Sequence, residues 1–397
     1  MVPMRGEYDV CIIGGCGHVG LPLGLAFANH KKKVVLFDIN QANVEKVNRK
    51  EMPFLDKGAP EILTKTVNSG LLEATTDKTV ISRSKNIIMV IGTPVDEHLN
   101  PNLLGIITAI KNVKDLLHKD QLLVLRSTIY PGITKKVHSY LKSVKCGISL
   151  AFCPERVTEG FALEEIRTLP QIVSAYDKAT LKLASKLFSA LEVETVELTP
   201  EEAELVKLFS NTWRYINFAT ANQFFMIAEN CGVDFYKVYK GMTYNYPRLK
   251  GFPKAGYAAG PCLFKDTMQL SAFDSNHFFL GHSAMLVNEG LPAFVINRLK
   301  RTVDLSKKTV GILGMAFKAD SDDPRESLSY KFKKILELEA KKVLCSDLYI
   351  QNPDFVDAEE LIRRSDIVIL AAPHRAYKKL KLKNKHVVDI WNFFEKG

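Results

Sequence analysis

The sequence predicts an α/β protein of two doubly wound parallel sheets joined by a central helical segment that contains one long helix. Three observations carry this. Short runs of Val, Ile and Leu alternate with longer polar–apolar stretches through the first half, which is the pattern of repeated βαβ units. From 201 to about 230 there is neither Pro nor Gly, and apolar residues recur at helical spacing. After about 300 the strand-like runs return. The 397 residues suit two or three domains. We place the boundaries at 1–198, 199–300 and 301–397.

In chain order, the runs at 10–13, 34–37, 87–91, 122–125, 148–152 and 193–198 read as short buried strands. Thr199-Pro200-Glu201-Glu202 is a helix start, with Thr at the cap, Pro in the first turn and acids following. Leu205, Leu208, Phe209, Trp213, Ile216 and Ala219 fit one face of the helix that begins there, and Cys231-Gly232 is its predicted stop. Strands are expected again at 309–313, 343–346, 367–370 and 387–390. The two α/β ends read as copies of one architecture.

Hydrophobic residues make up 46% and charged residues 25%, which excludes a disordered or fibrous chain. The longest apolar runs, at 87–91 and 367–372, are too short to cross a bilayer. The start of the chain does not read as a signal peptide, so the expected compartment is the cytoplasm and no membrane partner is expected. Seven cysteines, with no CxxC pair and no zinc spacing, are expected to be reduced thiols, with no metal site. The net charge of +10 suits an anionic ligand. No nucleic-acid module is present to make that ligand DNA or RNA.

Gly15-Cys16-Gly17-His18-Val19-Gly20 follows the first strand. Glycine there permits a tight turn and lets a pyrophosphate approach the backbone at a helix N-terminus. Asp38 ends the next strand, 18 residues beyond Gly20. A carboxylate there accepts from ribose hydroxyls and repels a 2′-phosphate, which selects NAD over NADP. Thr93-Pro94 follows the strand at 87–91 and either lines the same crevice or makes a turn. Gly260-Pro261-Cys262-Leu263-Phe264-Lys265-Asp266 sets a thiol four residues before a carboxylate. On spacing alone, a buried structural cysteine is the simpler reading. Lys207 and Asn211 share a helix face, where an ammonium and an amide could stabilise developing negative charge, although a solvated Lys fits as well. Ser127-Thr128 and Cys153-Pro154-Glu155-Arg156-Val157-Thr158-Glu159-Gly160 both follow strands, as ligand-binding or ordinary polar turns.

Taken together, the chain resembles the UDP-glucose/GDP-mannose dehydrogenase family over nearly its whole length. The matching stretches are Gly15–Gly20, 127–132, Pro154-Glu155-Arg156, Lys207 with Asn211, Gly260–Asp266, and 314–318 with 322–327, in the family's order. The resemblance implies two Rossmann-like domains around a helical one. It also implies oxidation of the C6 alcohol of a nucleotide sugar to a carboxylate, with two NAD+ consumed. It gives Cys262 the role of nucleophile for the C6 aldehyde, through a thiohemiacetal and a thioester. Lys207 and Asn211 would stabilise oxyanions, Asp266 would organise water and protons, and Glu155 would act in thioester hydrolysis. Thr128 and Glu159 would hold water, cofactor or substrate. By the same resemblance, Gly15, Gly17, His18, Val19, Gly20, Asp38, Thr93, Thr128, Glu159 and Arg325 contact the cofactor. Glu155, Arg156, Lys207, Asn211, Arg248 and Lys318 contact the UDP-sugar. Arg248 is expected to reach across a homodimer built on the long helix, which carries Trp213, Ile216 and Phe224.

The sequence departs from the family pattern at Ala255-Gly256-Tyr257-Ala258-Ala259-Gly260, where a Gly-rich run is usual, and at Gln223. Arg156 after the Pro-Glu pair, and Ala372-Pro373-His374-Arg375-Ala376-Tyr377, resemble enzymes of UDP-N-acetylhexosamines. The expected substrate is therefore UDP-ManNAc or UDP-GlcNAc. UDP-glucose oxidation, a two-domain hydroxyacid dehydrogenase and a non-catalytic nucleotide-sugar-binding regulator are the alternatives.

Overall fold

The computed structural model describes residues 6–93 and 105–394. Pro94, part of the Thr93-Pro94 expectation, lies outside them. The chain divides into two compact units, Met1–Phe209 and Ser210–Gly397.

The first unit runs β1 (Tyr8–Ile13), α1 (Gly20–Asn29), β2 (Val34–Phe37), α2 (Gln41–Asn48), α3 (Ala59–Asn68), β3 (Leu72–Thr75), β4 (Ser84–Met89), α4 (Gly105–Val113), β5 (Leu122–Leu125), α5 (Ile133–Ser143), β6 (Ser149–Phe152), α6 (Ala162–Ile166), β7 (Gln171–Ala175), α7 (Lys178–Ser189) and β8 (Thr195–Leu198). Its eight strands form one sheet in the order 3-2-1-4-5-6-7-8. Alternation within each apolar run explains why the runs are continuous. Val10 and Ile12 of β1, Ile88 of β4 and Val124 of β5 pack in one core. Cys11 and Ile13, Ile87 and Met89, and Leu123 and Leu125 pack in another. Each strand thus buries both faces, as a sheet covered on two sides requires.

Two strands escaped sequence reading. β3 is half polar, Leu72-Glu73-Ala74-Thr75, because it forms the edge of the sheet. β7 interrupts the expectation of an all-parallel sheet, since it pairs antiparallel with β6. The connection from β6 carries only the five-residue α6, so the chain re-enters the sheet from the side where it left. Segment 153–160 follows β6 directly and so starts at the carboxyl end of that strand.

α8 (Pro200–Asn230) leaves the first unit and continues into the second. Thr199 and Glu202 close a capping box: the Glu202 carboxylate accepts from Thr199 N–H at 2.8 Å, and Thr199 Oγ1 accepts in return at 3.4 Å. Gly232, at φ +71°, ends the helix as expected. The single-face reading of α8 needs correction. Leu208 and Ala219 are buried, whereas Phe209 is 53% and Trp213 66% exposed.

The second unit continues with α9 (Phe235–Thr243), α10 (Leu263–Phe273), α11 (Phe279–Lys300), β9 (Thr309–Leu313), α12 (Leu328–Glu339), β10 (Lys342–Ser346), α13 (Ala358–Arg364), β11 (Ile367–Leu370) and β12 (His386–Val388). Its four strands are all parallel, in the order 10-9-11-12. α11 is long and apolar enough to cross a membrane by length and composition. It nevertheless carries the fully buried Asn288, bonded to Tyr215 O at 3.1 Å, and Glu289, paired with Lys331. These are features of a core helix.

Candidate active site

In the first sheet the strand order reverses between β1 and β4, where open α/β sheets bind ligands. Gly14 opens the turn there at φ +75°, and a Cβ on it would lie 1.9 Å from Val90 O. A Cβ on Gly20 would lie 2.4 Å from Gly14 O, so the start of α1 rests on the turn itself. Around Gly17, by contrast, the nearest atom to such a Cβ is 3.7 Å away, leaving an open flank. Val19, at the N-cap of α1, offers no side-chain cap, so the amides of that turn suit an anion. Asp38 is half-buried, with Oδ2 accepting from Cys16 N at 2.9 Å and Oδ1 from Asn40 N at 3.0 Å. The loop and the carboxylate are thereby locked together, and the residues present fit a dinucleotide.

The loops after neighbouring strands are knitted to this turn. Thr93 Oγ1 donates to Thr128 O at 2.7 Å, and Ile91 N to Ser127 Oγ at 2.8 Å. His18 Nδ1 lies 3.0 Å from Glu159 Oε1, with its ring against Phe54. Glu155 is buried and fully engaged. Its Oε2 takes Nε (2.9 Å) and Nη2 of Arg126, and its Oε1 takes Arg156 N (2.7 Å) and Val157 N (3.0 Å). Arg126, 1% exposed, also donates to Cys153 O and Gln171. Sequence reasoning passed over Arg126. Its signal was a lone charge directly after the all-apolar Leu122–Leu125 run. Arg156 turns its guanidinium to Pro170 O.

On α8, Glu204 and Lys207 are both buried. Glu204 accepts from Gly132 N (2.6 Å), Thr134 N (2.9 Å) and Thr134 Oγ1 (2.6 Å), capping α5. This fixes the turn of α8 from which Lys207 projects.

In the second unit, Cys262 is the N-cap of α10 and is exposed. A helix N-terminus favours negative charge on a sulfur placed there. Burial instead pushes the thiols of Cys11, Cys16 and Cys153 up to about 12 and that of Cys345 to about 11, so these four are inert core residues. Asp266, one turn after Cys262, is fully buried. Its Oδ2 accepts from Asn211 Nδ2 at 2.5 Å, and its Oδ1 lies 3.4 Å from Lys265 Nζ. Lys265, to which the sequence assigned no role, is thus part of the cluster.

Arg325 is forked onto Asp323 at 2.6–2.9 Å, and Lys318 Nζ stands 5.7 Å from the Phe317 ring. Arg248 is exposed on a short turn over Tyr246, and no hydrogen bond or ion pair among the described residues joins it to the other site residues. The departure at Tyr257 proves to be a core substitution, since that ring is buried against Phe332 and Trp391. Of the two sequence marks of the sugar, the half-buried Arg156 serves a carbonyl, and in the second His374 and Tyr377 are buried whereas Arg375 is exposed.

Three family models match the chain in order. They are the NAD binding domain of the UDP-glucose/GDP-mannose dehydrogenase family at 8–192, its central domain at 201–289 and its UDP binding domain at 311–396. A UDP-N-acetyl-D-mannosamine dehydrogenase of Methanocaldococcus jannaschii is 27% identical, over 98% of this chain and 93% of its own. A UDP-D-ManNAc dehydrogenase structure from Pyrococcus horikoshii superposes with TM-score 0.90 at 26% identity, covering 98% of this chain and 96% of its own. A UDP-glucose dehydrogenase structure from Pyrobaculum islandicum gives 0.88 at 25% identity, covering 98% and 95%. The nucleotide turn, the thiol at its helix start and these three consecutive domains together make the chain an NAD-dependent dehydrogenase belonging to the UDP-glucose/GDP-mannose dehydrogenase family.

Proposed function

We propose that this enzyme oxidises the C6 alcohol of a UDP-N-acetylhexosamine to the carboxylate. The observation that carries the reading is Cys262, an exposed thiol at the start of α10, with the buried Asp266–Asn211 pair one turn behind it. NAD+ held by the Gly14–Gly20 turn and Asp38 would supply the hydride acceptor, one molecule for each of the two oxidations. Cys262 Sγ adds to the aldehyde carbon of the first product, giving a thiohemiacetal that does not escape. Lys207 and Asn211 supply the cation and amide that stabilise the C6 oxyanion. After the second oxidation, water adds to the thioester carbonyl, the C–S bond breaks and the thiolate leaves. Thr128 and Asp266 are assigned to that water and its proton. Glu155 has all four of its acceptor positions filled, so we assign it to holding segment 153–160 rather than to acting as the base.

The UDP moiety is assigned to the last domain, with Lys318 and Arg325 for its anionic groups and Arg248 for a neighbouring subunit's substrate. The acetamido sugar rests on the names of the relatives, because the ManNAc and glucose enzymes superpose almost equally well. The domain limits 1–198, 199–300 and 301–397 are proposed with the same roles. A homodimer on α8 is supported by Trp213 (66%), Phe224 (42%) and Ile227 (51%), exposed along that helix; Ile216 packs inward instead. A cytoplasmic setting suits a chain whose seven cysteines are thiols.

The test is NADH release with UDP-ManNAc, UDP-GlcNAc and UDP-glucose. Two NADH per acetamido sugar are expected, with turnover lost in Cys262→Ala. Uronate formed at the normal rate by Cys262→Ala would refute the scheme and favour the hydroxyacid reading.

A further inference from the structure

The segment that carries Cys262 is gripped on both sides by one face of α8. Downstream, Asn211 bonds Asp266, as described. Upstream, Asn222 bonds Gly256 twice. Its Nδ2 donates to Gly256 O at 2.9 Å, and its Oδ1 accepts from Gly256 N at 2.8 Å. Asn211 and Asn222 are eleven residues apart. This is about three turns, so both point the same way, roughly 16 Å apart along the helix. The side-chain amide of Asn222 thus behaves as a short strand paired with the loop.

The amide is itself held in place. Asn222 Nδ2 also donates to Asn288 Oδ1 at 2.9 Å, and Asn288 Nδ2 donates to Tyr215 O at 3.1 Å. Both asparagines are fully buried, so every one of these bonds is made away from water, where an unmade bond costs most. Gly256 has no room to move sideways: a Cβ on it would lie 2.0 Å from the Trp391 ring. Four residues on, Gly260 at φ +100° sits against Phe317, and its N–H donates to Glu326 O at 3.2 Å. The chain between these two points has little freedom, and Cys262 follows two residues later.

Resting on the functional reading above, we infer that Asn222 is a positioning residue for the nucleophile: it sets the register of segment 256–266 on α8, so that Cys262 Sγ stands where the aldehyde forms. A thiol displaced by an ångström still permits the first oxidation, which needs no sulfur, but captures the aldehyde poorly. Loss of Asn222 therefore shows as incomplete oxidation rather than only as a slower enzyme.

The experiment measures NADH per sugar for the full-length enzyme, with semicarbazide present to trap free aldehyde. Wild type is expected to give two NADH and no trapped aldehyde. Asn222→Ala is expected to give fewer than two, with trapped aldehyde, a kcat reduced about 10- to 100-fold and an unchanged KM for NAD+. Asn222→Ser, which keeps a hydroxyl for one of the three bonds, should fall between them and serves if the alanine variant does not fold. Val368→Ala, a core truncation in β11, controls for stability and should retain two NADH. Two NADH without trapped aldehyde from either Asn222 variant, at whatever rate, overturns the inference. Fewer than two NADH from wild type with every sugar overturns the functional reading instead.

Discussion

At the end of β1, Gly14 N–H donates to Phe37 O at 2.9 Å; at the end of β9, Gly314 N–H donates to Ser346 O at 2.9 Å. Both glycines have positive φ, +75° and +88°. In each case the next residue of the neighbouring strand is an aspartate, whose Oδ2 accepts the amide two residues past the glycine. For Asp38 that amide is Cys16 N at 2.9 Å, and for Asp347 it is Ala316 N at 3.0 Å. The same strand–turn–aspartate device therefore occurs at both sheets.

What differs is how each carboxylate is completed. Asp38 stays half-exposed beside the open flank of Gly17. Asp347 also accepts from Met315 N (2.6 Å), Tyr349 N (2.8 Å), Ile350 N (3.0 Å) and His374 Nε2 (3.1 Å), with both side chains fully buried. His374 Nδ1 accepts from Asp320 N at 2.9 Å, which fixes the tautomer with the proton on Nε2. We assign the first aspartate to a ribose; its counterpart bolts down the loop that carries Lys318. A shared backbone turn does not by itself dictate a shared ligand.

Glycine substitution breaks the equivalence most severely. Gly14→Ala and Gly314→Ala should each lose about 2–5 kcal/mol, from left-handed strain plus a backbone clash. Gly14 should be the worse, because its Cβ would stand 1.9 Å from a carbonyl oxygen rather than 2.5 Å. Thermal unfolding measures both, and an unshifted midpoint in Gly314→Ala would end the comparison.

A smaller effect separates the two aspartates. His374→Ala should cost about 2–3 kcal/mol by leaving buried partners unmatched. It should raise KM for the UDP-sugar and leave that for NAD+ unchanged, as steady-state kinetics would show. Burial alone would raise the Asp347 carboxyl, but the bonds from His374 and the amides prevail and hold it below the ordinary aspartate range. Its stabilisation is thus full above that range and lost as pH falls through the lowered value. Acid unfolding of Asp347→Asn should lack that component.

The least effect on stability, about 1 kcal/mol, is expected from the half-exposed Asp38→Ala, which leaves the Cys16 and Asn40 amides without their carboxylate. Its consequence is selectivity: the preference for NAD+ over NADP+ should narrow once the repelling carboxylate is gone. An unchanged cofactor ratio would show that Asp38 does not face the ribose.

The sequence by itself determined the strand runs other than β3 and β7, the capped start and glycine stop of α8, the nucleotide turn and the candidate thiol. Each is written in residues a few positions apart, where apolar period, caps and glycine act locally. It did not reveal β7 running backwards, because an antiparallel return depends on where the chain re-enters the sheet. Nor did it reveal Arg126 beneath Glu155, Asn222 beneath the Cys262 loop, or His374 as the buried partner of Asp347. Those are bonds between groups 29, 34 and 27 residues apart. Only packing brings such groups together, and only burial makes leaving them unpaired costly enough to fix their geometry.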